Sequence, residues 1–166
     1  MSPDTSTESD SEGRNSASRQ RAGKTALHIA AECDHVGVLR VLLQLMPDPN
    51  VKDSQGRTAM HLAAENQCFN TAKALIEFHE PEGTTQKAGH AIDVNAQNNF
   101  GQSALHLAAM SGDRAMVKLL SCAPQINMDV RDGEGFSPLH RASLLGHDGI
   151  VEELVKRGAD YNLAVS

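Results

Sequence analysis

Eight histidines are the first candidates for chemistry in this chain, because imidazole is both a common metal ligand and the usual general base near neutral pH. Four of them, His28, His61, His106 and His140, stand three residues after a hydroxyl, at Thr25, Thr58, Ser103 and Ser137. A hydroxyl, an imidazole and a carboxylate can make a nucleophilic triad, and three histidines with an open position can hold a catalytic zinc. The spacing argues against both. The four histidines are separated by 33, 45 and 34 residues, and each recurs in the same local sequence. Equivalent places in stacked units lie about 10 Å apart, whereas zinc needs each nitrogen within about 2.1 Å. His35 and His147 open the second segment of their units, and His79 and His90 alone make a weak metal site. Cys33, Asp34 and His35 come nearest to a nucleophile cluster, but neighbours on a helix point about 100° apart and do not converge. No G-x-S-x-G, phosphate-binding glycine loop or H-E-x-x-H occurs. No acid, base and nucleophile can be given roles together, so no catalytic, cofactor or metal residue is assigned and no enzyme is expected.

The elements that carry these histidines repeat. GKTALHIAAECDHVGVLRVLL begins at Gly23, GRTAMHLAAENQCFNTAKALI at Gly56, GQSALHLAAMSGDRAMVKLL at Gly101 and GFSPLHRASLLGHDGIVEELV at Gly135. In the third copy a turn over 98–101 leads to Ser103, whose hydroxyl can cap a helix packed through Leu105, Ala108 and Ala109. Gly112 breaks that helix, and Met116, Leu119 and Leu120 mark a second amphipathic one. Each short helix pair buries one face only, so the copies must stack to close a core.

TALH, TAMH, SALH and SPLH resemble the T-P-L-H box of the ankyrin repeat. The resemblance implies an all-α ankyrin-repeat solenoid of helix pairs joined by β-hairpin-like turns. It gives repeats at about 20–52, 53–91, 92–131 and 132–163, in a domain spanning 23–163. It also implies that each box histidine and its hydroxyl tie helix to turn, and that the chain is a protein-binding adaptor without enzymatic activity. Copy one, with Pro47 and Pro49 ending its second helix, reads as a capping repeat that packs Val38, Leu39, Leu42 and Leu43 on copy two.

Composition narrows the partner class. A formal charge of −6 and the lack of any basic run argue against direct nucleic-acid binding. Three cysteines at spacings that match no zinc or disulfide framework suggest a reducing compartment. No stretch reaches 18 apolar residues and no apolar leader opens the chain, so the expectation is a monomer in the cytoplasm or nucleus, without membrane insertion. Residues 1–22 are expected to be a disordered acidic tail. In it Thr5, Thr7 and Ser9 each precede an acidic residue by three positions, as at sites of acid-directed kinases. The tail lacks the D-S-G-x-x-S signal of the NF-kappaB inhibitor family, whose role as inhibitor or cofactor of transcription factors is one alternative. A regulatory fragment of a larger enzyme or DNA-binding protein is another. Residues 78–91, with Pro81, Gly83 and Gly89, read as an inserted loop.

Binding is expected on the concave surface of turn tips and first helices. The resemblance places there Lys24, Glu32 and Cys33 from copy one and Ser54, Gln55, Arg57, Glu65 and Asn66 from copy two. Copies three and four add Asn99, Phe100, Gln102, Met110, Ser111, Glu134, Phe136, Leu144 and Leu145. The first half of this set is polar, and the second is apolar enough to suggest an interface.

Overall fold

The computed structural model describes residues 22–46, 48–78 and 91–165. The acidic tail with Thr5, Thr7 and Ser9, and most of the insertion with His79 and His90, lie outside the described residues. Eight helices occur among those described. They are α1 (Ala26–Glu32), α2 (Val36–Leu45), α3 (Ala59–Glu65), α4 (Phe69–Ile76), α5 (Ala104–Ser111), α6 (Arg114–Leu120), α7 (Pro138–Leu144) and α8 (Asp148–Lys156). They form four pairs. The first helices α1, α3, α5 and α7 pack side by side in one layer, and α2, α4, α6 and α8 do the same in a second layer behind them. Copy two meets copy three directly, so the insertion leaves the stacking unbroken. No described helix is long and apolar enough to cross a membrane.

The core follows from the repeated apolar positions. Leu27, Leu39, Met60, Leu62, Leu75, Leu105, Met116, Leu120 and Leu154 are fully buried, with alanines between them on the first helices. Small side chains there let neighbouring helices approach at about 8–10 Å. The turns stack as well. Backbone N–H groups of Ser54, Asn99 and Gly133 donate to the carbonyls of Ala22, Gln55 and Phe100 in the preceding turn. Gly101 must be glycine twice over, since its φ is 72° and a Cβ would lie 2.5 Å from the Gly133 nitrogen. On the other side of the stack the carboxamides of Asn50 and Asn95 and the carboxylate of Asp129 accept from the N–H groups of Asp93, Asn127 and Asp160, linking the segment that follows each second helix to the segment that follows the next one.

Copy one differs from a cap. Leu39 and Leu43 are buried and Leu42 is half-buried, as the sequence suggests, but Val38 is 54% exposed. The equivalent positions Thr71, Met116 and Ile150 are buried under the preceding copy. Ile29, Val41 and Leu45 are exposed with Val38, so the outer face of copy one is apolar where a capping unit would be polar.

Between the two helices of each pair one residue takes positive φ. It is Gly112 and Gly146 in copies three and four, but Asp34 at 55° and Gln67 at 59° in the first two. Asp34 earns its place by capping the next copy. Its carboxylate accepts from the Thr71 N–H at 2.9 Å, the Thr71 hydroxyl at 2.8 Å and the Asn70 amide at 3.0 Å, at the start of α4. Burial alone would raise the pKa of this carboxyl, but those bonds outweigh it and hold the group below its usual range. Gln67 has no such role. Replacing Gln67→Gly should therefore stabilise the fold by about 0.5–1 kcal/mol through relief of the left-handed strain. Asp34→Gly should destabilise it by about 1 kcal/mol despite the same relief, because the cap is lost. Urea unfolding of both variants would show midpoints moving in opposite directions.

Candidate functional site

Each box histidine makes two sets of bonds. His28 Nδ1 lies 3.0 Å from the Thr25 backbone nitrogen and 2.9 Å from its hydroxyl, while Nε2 lies 2.9 Å from the carbonyl oxygen of Arg57 in the next copy. His61 repeats this with Thr58 and the Gln102 carbonyl, His106 with Ser103 and the Phe136 carbonyl, and His140 with Ser137 and the Leu163 carbonyl. A carbonyl only accepts, so Nε2 carries the proton and Nδ1 accepts from the backbone N–H. Both nitrogens are thus engaged: Nδ1 ties the ring to its own turn, and Nε2 of His28, His61 and His106 holds that copy to the next. Burial pushes His61 down to about 4 and also lowers His106, since a second ring proton would point at an N–H donor in a dry site. Among the described residues no group of three His, Cys, Asp or Glu side chains is gathered as a metal site.

In front of this layer the residue just before each box hydroxyl meets the residue eight positions on, at the exposed end of the first helix. Lys24 pairs with Glu32 at 2.8 Å and Arg57 with Glu65 at 3.0 Å. In copy three the Gln102 amide reaches the Met110 sulfur at 3.6 Å. Copy four has Phe136 and Leu144 in these places. These two places therefore grade from ion pairs to apolar side chains along the stack. Phe100, Leu144 and Leu145 are exposed, and Met110 is half-buried beside them in sequence position.

The expected surface residues divide into two kinds. Arg57 is buried, because its guanidinium holds the turn together through Asp53 at 2.9 Å as well as Glu65. It is a structural side chain and not the surface contact expected from the sequence. Phe136 is half-buried, with the Arg141 guanidinium 4.5 Å from its ring centroid and the His140 ring edge-on at 6.2 Å. Asn99 is exposed but its amide donates to the Ser54 carbonyl in the turn stack, and the Asn66 amide closes the end of α3 on the Leu62 carbonyl. Gln102 is half-buried, and Glu65 and Glu134 are exposed.

Arg141 was not legible as a functional position. It stands where the other copies have Ile29, Leu62 and Leu107, and that break in an apolar column is the signal. Its guanidinium binds Asp132 at 2.6 Å and Glu134 at 2.9 Å. Burial would raise the Asp132 carboxyl and the Asp53 carboxyl, but backbone N–H donors and the adjacent arginine outweigh it in each case and hold both below the usual range.

A family model described as ankyrin repeats in three copies matches residues 9–87 and 84–164. The chain belongs to the ankyrin-repeat family. It is 31% identical to human Rabankyrin-5 over 90% of its own length and 12% of that protein. It is 31% identical to the probable 26S proteasome regulatory subunit p28 of Saccharomyces cerevisiae over 86% of its length and 58% of that protein. Identity to the NF-kappa-B p105 subunit of Gallus gallus is 28%, over 84% of this chain and 14% of the relative. The chain thus spans less than two thirds of each of these relatives. Ankyrin repeats serve protein–protein interaction and are generally without enzymatic activity.

The ankyrin histidines give the fold a defined pH response. His61 titrates near 6.5 when unfolded and about 4 when folded, so between these values the unfolded chain binds the extra proton. Stability is complete above about pH 6.5 and falls as the pH drops towards 4, by about 3 kcal/mol from His61, with a further loss from His106. Below that window the lowered carboxyls Asp34, Asp53 and Asp132 add their own loss. Urea titrations at pH 7, 6, 5 and 4.5 should show this decline, and His61→Gln should be less stable at pH 7 but flatter across the series. A His61→Gln curve as steep as the original would mean that other groups set the response.

Proposed function

We propose that this chain is an adaptor that captures a protein partner on its concave ankyrin surface, as a monomer in the cytoplasm or nucleus, and that it catalyses no reaction. One observation supports this reading above the others. Leu144 ends a first helix and Leu145 follows it, 66% and 49% exposed, in the place that Glu32–Cys33 and Glu65–Asn66 hold in the earlier copies. Adjacent exposed leucines, with the exposed Phe100 on the turn of the preceding copy, present apolar surface that water solvates poorly, and such surface anchors protein interfaces. Phe136, half-buried with the Arg141 guanidinium over its ring, stands eight residues before Leu144, and the half-buried Met110 holds the place of Leu144 in copy three. A second reading, an inhibitor or cofactor of a transcription factor, is favoured by the likeness to NF-kappa-B p105. Both readings use the same surface.

Leu144→Ser with Leu145→Ser is the variant that tests it, because neither side chain belongs to the buried core. Affinity capture from source-cell extract, read by mass spectrometry, should recover a partner with the intact chain and lose it at least tenfold with the variant. Helicity and melting should change little. Equal capture by both proteins would remove the patch from the function.

A further inference from the structure

The charged half of the concave surface carries its signs at different depths. Lys24 is 7% exposed against 36% for its partner Glu32. Arg57 is 10% exposed against 46% for Glu65, and Arg141 is 13% exposed against 70% for Glu134. In every pair the cation lies beneath and the carboxylate faces outward. Arg57 and Arg141 also bind a buried aspartate each, Asp53 and Asp132, so their charge is already balanced without the outer glutamates. The outward carboxylates of Glu65 and Glu134 are thereby left able to accept a further donor, and Glu32, which balances Lys24 through one oxygen, has its second oxygen for one. Beside Glu32 an open depression of about 410 Å³ is walled by Ile29, Cys33 and Lys24. Its apolar wall and carboxylate rim suit a long aliphatic stem with a cationic head.

We infer that the partner presents to this groove a linear segment carrying aliphatic or aromatic side chains for Phe100, Leu144 and Leu145, followed at a fixed distance by Lys or Arg side chains for Glu65 and Glu32. This rests on the adaptor reading above and names the chemistry of its partner. The chain's charge of −6 is complementary to such a segment. Its spacing follows from the stack. First helices lie about 10 Å apart and an extended chain advances about 3.3 Å per residue, so one copy corresponds to about three residues. A cation for Glu65, two copies from Leu144, lies about six residues from the apolar pair, and one for Glu32 lies about nine residues away.

The test is selection of a phage-displayed random 16-residue peptide library on the full chain, followed by anisotropy titration of synthetic versions of the enriched peptides. Enrichment of an apolar pair with Lys or Arg at about six and nine residues is the expected result. Binding should weaken at least tenfold on Glu32→Gln/Glu65→Gln protein and fall with added salt. Replacing the Lys and Arg of the peptide by Gln should give the same loss on the unaltered chain, which makes the result independent of how the variant folds. Enriched peptides that carry neutral or acidic residues at those positions, yet still need Leu144 and Leu145, would overturn the basic segment and leave the adaptor reading standing. Peptides indifferent to both the leucine and the glutamate variants would overturn both. Failure to enrich any sequence would overturn the linear segment alone, since a folded partner could still use the patch.

Discussion

The bond from each box histidine to the backbone carbonyl of the next turn is the constraint on which the rest of this protein depends. It joins a side chain fixed within one copy to the main chain of its neighbour, so the position of each turn is set by the helix behind it. A buried imidazole with both nitrogens satisfied stabilises the stack, and one with either partner missing would carry an unmet polar group into a dry layer. The same geometry fixes the tautomer, and burial at His61 and His106 disfavours the charged ring. Three such bonds between copies, with a fourth that closes copy four on its own Leu163 carbonyl, convert separate helix pairs, none of which could bury its own core, into a single object.

On that frame the turns and helix ends are free to differ. Depth decides what each residue does. At the front of copies one, two and four, the cation is sunk and the carboxylate raised, so arginine and lysine shape the turn while glutamate faces any visitor. Copy three replaces the pair by Gln102 and Met110, and copy four carries apolar groups at those two places. The architecture is therefore common to all four units, while the chemistry they offer changes along the row.

Much of this was legible because repetition averages out local ambiguity. The four boxes fixed the helix pairs, the histidine role and the stacking order, and Gly112 ends its helix as its place in the sequence suggests. Depth was harder to read. Arg57 and Arg141 look like surface residues by type, yet their aspartate partners sit four positions before one and nine before the other, and only the folded turn brings them together. Phe136 appears exposed by its place in the motif, and the cation over its ring draws it inward. The inference that copy one is a cap failed because prolines mark where its helix ends, not which side of that helix is covered. Asp34 tolerates positive φ through bonds to a copy whose turn is 36 and 37 residues away, which no local pattern reports.

The uncovered flank of copy one gives the groove two mechanically different ends. Copies two and three are clasped from both sides, and copy four is clasped by copy three and by the segment that brings the Leu163 carbonyl to His140. Among the described residues copies one and four each have a single neighbouring copy, but the segment through Leu163 ties copy four further, so copy one is the more compliant end of the array. Glu32 and its depression sit on that compliant unit, whereas the leucines sit on the stiff one. An incoming chain would thus find a rigid seat for its greasy part and a yielding arm for its charged part. For a partner bound as proposed, the two ends would then act in sequence, with anchoring on the leucines ahead of settling against copy one.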